Sequence, residues 1–102
     1  MDKLKLNQLI EETKTLGFDN LAETMNIHME EVKILSEDIQ QTIQFFDTCE
    51  EEEFYYLKEI FVDLINLTKS KELVSCLHRN DTRFYGVDCS PEMKTIDSIP
   101  LK

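Results

Sequence analysis

The chain has 102 residues, 41% hydrophobic and 31% charged, with only two glycines and two prolines. That balance suits one small soluble domain, too apolar for disorder throughout and too poor in turn residues for a sandwich or barrel. The net charge of −10 opposes nucleic acid and anionic lipid as ligands, and no apolar run is long enough for a membrane span.

The first helix is expected over "LNQLIEETKTLG", where Leu6, Leu9, Ile10, Thr13 and Leu16 share one face and Gly17 closes the C-terminus. Asp19 or Asn20 caps the next element, and Asn20 with Glu23 has capping-box spacing. Met25, His28, Val32, Leu35, Ile39, Thr42 and Phe46 then alternate in steps of three and four, a heptad-like seam that Ile43 widens. A break near Asn26 would bring this stretch to ordinary helix length.

"DTCEEEEF" opens the third helix, with Thr48 and Glu51 at capping-box spacing and Glu50 to Glu53 at the positive end of the helix dipole. Winding it to about Leu67 puts Phe54, Leu57, Phe61, Leu64 and Ile65 on one face, and Tyr56, Ile60 and Leu67 on one flank. Tyr55 and Val62 fall on the other flank. Lys58 lies within the apolar arc and snorkels its amine outward. In "TKSKELVSCLHRN" Ser70 caps a fourth helix, Leu73, Val74 and Leu77 form its apolar face, and Asn80 stops it. Beyond it Phe84 and Tyr85 are expected to dock back, and Ser90-Pro91-Glu92 to start one helical turn.

These elements predict an all-α fold, a compact bundle of about four helices over residues 1–85. Residues 86–102 follow as an irregular tail that docks partly on the bundle, with at most one short helical turn. The seam could equally build a homodimer. The start of the chain has no apolar h-region, and three unclustered cysteines suit reduced thiols, which together point to the cytoplasm.

Residues 19–63 carry thirteen acids against two bases, so the middle of the chain is the place for a basic protein partner. On the third helix Glu52, Glu59, Asp63 and Asn66 share the narrow polar window, bordered by Tyr55, Tyr56 and Val62. Glu52, Tyr55, Tyr56, Glu59, Asp63 and Asn66 are therefore the candidate partner-binding residues, with Glu50, Glu51 and Glu53 steering a cationic partner. The competing view is that this window is simply the wet side of an amphipathic helix.

Little else points to chemistry. Cys76 and His78 are two apart and diverge on a helix, and His28 with Glu31 lacks a second ligand pair, so no metal and no cofactor are expected. No cysteine has an activating neighbour, and the two glycines stand alone, so neither a catalytic nucleophile nor a phosphate loop is expected. Glu30, Glu31, Glu59 and Asp63 could face one another as in a Mg²⁺-dependent helical nucleotide hydrolase, although no basic cluster accompanies them. Lys69, Lys71, Arg79 and Arg83 form the one basic stretch and could counterbalance the acidic helices within the fold.

The stretch "FYYLKEIFVDLINLTKSKELVSCL", Phe54 to Leu77, resembles the second half of some small bacterial immunity proteins, the antitoxin-like partners of delivered toxins. The resemblance covers about a quarter of the chain and rests on an aromatic-rich helix, the break "TKSK" and a second helix. It implies a non-catalytic inhibitor that occludes the active site of a basic toxin domain such as a nuclease. It carries over no functional residue. The alternatives are the Mg²⁺-dependent hydrolase and a structural or regulatory homodimer.

Overall fold

The computed structural model of the chain describes residues 1–16 and 20–102. Regular structure among them is entirely helical. In order come α1 (Lys3–Leu16), α2 (Leu21–Glu37), α3 (Ile39–Thr48), α4 (Glu51–Leu57), a 3-10 turn (Lys58–Ile60), α5 (Phe61–Thr68), α6 (Lys71–Arg83) and α7 (Ser90–Asp97). Because α4, the turn and α5 follow without a loop, the described residues make six helical units rather than about four. The expected cap at Gly17, and Asp19, lie outside the described residues.

Both extra units have clear causes. The long seam is cut at Asp38, not near Asn26. Asp38 is extended (φ −141°, ψ 102°) and its Oδ1 accepts the Gln41 amide at 3.2 Å, so its carboxylate starts α3 instead of continuing α2. Asn20 caps α2 as expected, accepting the Glu23 amide at 3.4 Å. Before α4 the reciprocal pair falls two residues later than Thr48 and Glu51: the Glu50 amide donates to Glu53 Oε1 at 2.9 Å. Thr48 ends α3, donating to the Gln44 carbonyl at 2.8 Å.

The other extra unit is α7. Residues 86–102 were expected as an irregular tail, yet Ser90–Asp97 form an eight-residue helix with Pro91 at its start. Val87, Cys89, Met93 and Ile96 are buried, and α7 packs on α5 and α6. Of the two aromatics expected to dock, Phe84 does, its ring 5.3 Å from that of Phe54, while Tyr85 is 95% exposed.

The expected third helix is not one uniform helix. A 3-10 helix turns about 120° per residue against about 100° for an α-helix, so the Lys58–Ile60 turn rotates α5 by about 60° relative to α4. Ile60, expected on a flank, is fully buried; Leu67, expected on the same flank, is 61% exposed. The central face holds as expected, with Phe54, Leu57, Phe61, Leu64 and Ile65 all fully buried.

On α2 the buried stripe is Thr24, Ile27, Glu31, Ile34 and Leu35, not the seam through Met25, His28 and Val32. Met25 is 56% exposed, and His28 and Val32 are half-buried. The rest of the seam does enter the core, with Leu35, Thr42 and Phe46 buried. Thr42 satisfies its hydroxyl on the Leu35 carbonyl at 2.7 Å, across the α2–α3 break.

The helices meet on an aromatic cluster. Phe46 of α3 stands edge-on to Phe54 of α4 (6.1 Å between centroids) and to Phe61 of α5 (5.8 Å), which lie 5.0 Å from each other. All three rings are fully buried. Removing one deletes both transfer energy and edge-to-face contacts. Phe46→Ala is expected to cost about 3–5 kcal/mol in denaturant unfolding, and Tyr85→Ala to change stability by less than about 0.5 kcal/mol. Equal losses in the two variants would refute this placement of the core.

Candidate functional site

The six candidate partner-binding residues fall into two neighbourhoods. Glu52, Tyr55 and Tyr56 lie on α4, where with Glu51, Gly86 and Val87 they line a shallow depression of about 450 Å³. The two tyrosine rings meet edge to face at 5.1 Å. Glu59, within the overwound turn, and Asp63, in the first turn of α5, lie towards α2, and Asn66 is exposed further along α5.

The α4 group is largely engaged within the chain. Lys14 of α1 reaches between Glu11, at 2.9 Å, and Glu52, and its ammonium lies 5.5 Å from the centre of the half-buried Tyr56 ring. The two carboxylates hold the Lys14 pKa well above the usual lysine value. Glu52 and Tyr56 thus tie α4 to α1. Lys58 covers the 41%-exposed Tyr55 at 5.1 Å from the ring centre, and its amine donates to the Asp88 carbonyl at 3.1 Å, which joins the 3-10 turn to the segment before α7. Of the steering residues, Glu53 is half-buried and bound to the Glu50 amide, while Glu50 and Glu51 are exposed.

Glu59 and Asp63 differ from Glu52. Both are exposed, and among the described residues neither forms a salt bridge. Their charges reach His28 on α2. Burial lowers the His28 pKa below the ordinary histidine value, and the two carboxylates raise it only in part. Burial thus favours the neutral imidazole at His28. It forms no hydrogen bond among the described residues.

Beside this edge lies a groove of about 420 Å³, lined mainly by apolar atoms of Met25, His28, Met29, Val32 and Leu67, with Asp63 among the polar residues. Sequence reasoning missed it because it assigned Met25, His28 and Val32 to the core. A signal was present: Ile27 and Ile34, seven residues apart, mark a stronger aliphatic stripe than one that runs through a histidine.

The carboxylate quartet considered for Mg²⁺ does not assemble. Glu30 turns to α1, its Oε2 3.8 Å from the Lys5 amine, and Glu31 points into the core. Among the described residues no three His, Cys, Asp or Glu side chains gather in metal-binding geometry. The basic stretch is partly spent inside the fold: Arg79 pairs with Asp47 at 2.8 Å, and Arg83 donates to the Phe46 and Cys49 carbonyls at 2.8 and 3.1 Å, closing the C-terminus of α3. Arg79 lowers the Asp47 pKa below the usual carboxylate range. Ser70 caps α6 on the Leu73 amide, whereas Asn80 does not end the helix. Buried Asn80 donates instead to Asp47 Oδ1 and to the Cys76 carbonyl, both at 2.9 Å.

All three cysteines are buried free thiols. Burial is the main cause that pushes Cys49 and Cys76 up to about 11 and Cys89 to about 12, where Asp81, accepting from the Cys89 thiol at 2.8 Å, adds to it. None is a ready thiolate at neutral pH.

No family model, curated protein or solved structure matches the chain.

Glu31 is the structure's main electrostatic liability. It is 1% exposed, and neither carboxylate oxygen has a hydrogen-bond partner among the described residues. Burial raises its pKa from 4.5 to about 8. Between those values the folded state holds a proton that the unfolded state has released, so this group's contribution to stability falls as pH rises through that window. Glu31→Met is expected to unfold at higher denaturant than wild type, with the gap widening from pH 4.5 to about 8 to reach a few kcal/mol. A gap that stays constant with pH would show that Glu31 is already ionised in the folded state.

Proposed function

We propose that the protein is a non-catalytic acidic binding module that neutralises a basic protein partner, such as the nuclease domain of a bacterial toxin, by covering its active site in the cytoplasm. The observation that carries this reading is the pair Glu59 and Asp63, exposed and without salt bridges among the described residues beside an apolar groove. Some other acids do meet bases: Glu52 has Lys14, Asp47 has Arg79 and Glu30 has Lys5. An inhibitor of this kind needs no reacting group. It needs a rigid scaffold, negative potential to speed encounter, and apolar surface to slow release.

The immunity reading adds the resemblance of Phe54 to Leu77, and the charge distribution supports a cationic partner over an anionic one. Within the proposed interface Glu59 and Asp63 bind, Tyr55 and Asn66 extend the contact on either side, and Glu50 and Glu51 contribute long-range attraction. Glu52 and Tyr56 hold the scaffold through Lys14.

Glu59→Lys combined with Asp63→Lys is expected to weaken binding of the cognate basic partner, isolated by affinity capture from the source cells, by tenfold or more in titration calorimetry. The salt dependence should shrink with it, while thermal unfolding shifts little because both positions are exposed. Unchanged affinity in a folded double variant would remove this edge as the site.

A further inference from the structure

The α2–α5 groove is a distinct surface that the acidic edge alone does not explain. Met25, Met29 and Leu67 are 56%, 69% and 61% exposed, and with Val32 they give it an apolar lining. Two of its four apolar residues are methionines, whose unbranched and polarisable side chains adapt to varied apolar shapes. Four other depressions on the surface have a less apolar lining.

Its charges select an occupant. Asp63 lines the groove, and Glu59, one turn before it, is close enough for both to act on His28. Lys33 of α2 also lines it, and burial disfavours the charged form of His28. A second copy of the chain would bring another net charge of −10 to this surface, which opposes self-association. A cationic amphipathic helix meets both conditions, because one stripe supplies apolar side chains at i, i+3, i+4 and i+7 and its flank supplies Lys or Arg.

We propose that this groove docks an amphipathic helix of the partner protein, with its apolar stripe on Met25, Met29, Val32 and Leu67 and its basic flank along Glu59 and Asp63. This rests on the reading of the protein as a binder of basic partners and names the element of the partner that it grips. The groove gives that helix an apolar seat, and the acidic edge fixes which way round it lies.

The test uses the full chain labelled with ¹³C at its methionine methyls, titrated with a synthetic Leu/Lys peptide of 18 residues or so whose leucines form one helical face. An isomer of identical composition with the leucines scattered serves as control. Met93, 5% exposed, is an internal reference, and Met25 and Met29 report the groove. The expected result is saturable shifts at Met25 and Met29 with Met93 still, and at least tenfold weaker binding of the scattered isomer. Leu67→Asp, checked for folding by circular dichroism, should abolish the shifts; if it does not fold, the wild-type titration decides alone.

Equal binding of the two peptides, or shifts absent from Met25 and Met29, would overturn the groove as a helix seat. Concentration-dependent shifts of those methyls without peptide, matched by a dimer in sedimentation, would assign the surface to a second copy and overturn it as well. The partner titration with Glu59 and Asp63 reversed is independent of these outcomes. A lost groove with a surviving charge effect would leave the acidic binding reading in place, and the reverse would leave an apolar site without electrostatic selection.

Discussion

The packing of Phe46 against both Phe54 and Phe61 is the constraint on which the other features depend. Those rings come from α3, α4 and α5, and all three are fully buried. Keeping both Phe54 and Phe61 on Phe46, with Ile60 buried between α4 and α5, accompanies the tightening of Lys58–Ile60 into a 3-10 turn. That turn places Glu59 at a point of changed helical phase and carries it, with Asp63, towards α2. The acidic edge and the methionine groove adjoin on the α2–α5 side of this core.

Charge in this protein works on two levels. Inside the fold, polar contacts join elements distant in sequence: Arg79 on Asp47, Arg83 on the end of α3, Lys14 on Glu52, and His78 on Asp97 at 2.6 Å. Exposed pairs of this kind contribute little individually, and their value here is to fix the relative placement of helices that the apolar core already holds. Outside it, the excess acid repels other copies and anions. Glu31 belongs to neither level. A carboxyl buried without a partner opposes folding once ionised, and it makes the domain more tolerant of mildly acidic than of alkaline conditions.

Much of the fold was legible in the sequence because its signals were local. The caps at Asn20 and Ser70, the faces of α1 and α6, and the buried arc from Phe54 to Ile65 follow from spacing alone. What was not legible depended on competition. Asp38 looked like a polar point in a continuous seam, yet its carboxylate found the Gln41 amide and ended the helix. Once the chain broke there, α2 could settle on Ile27 and Ile34, and Met25 and Met29 faced outward. Residues 86–102 looked irregular because α7 has only Met93 and Ile96 on its inner face, and two apolar residues leave no period to detect. At the site, composition located the acid but could not tell a partnered carboxylate from an unpartnered one. On an ideal helix Glu52 and Glu59 share one window, but the 3-10 turn and the position of Lys14 separate them.

The central claim is that Glu59 and Asp63 form one surface with the His28 side of α2. The His28 titration, followed by NMR of its ring carbons and nitrogens, tests that directly. Its pKa should lie below the ordinary histidine value in the wild type, and should fall further in Glu59→Gln/Asp63→Asn, because both carboxylates favour the imidazolium. A His28 titration that does not move when the two charges are removed would separate the acidic edge from the groove and contradict the account.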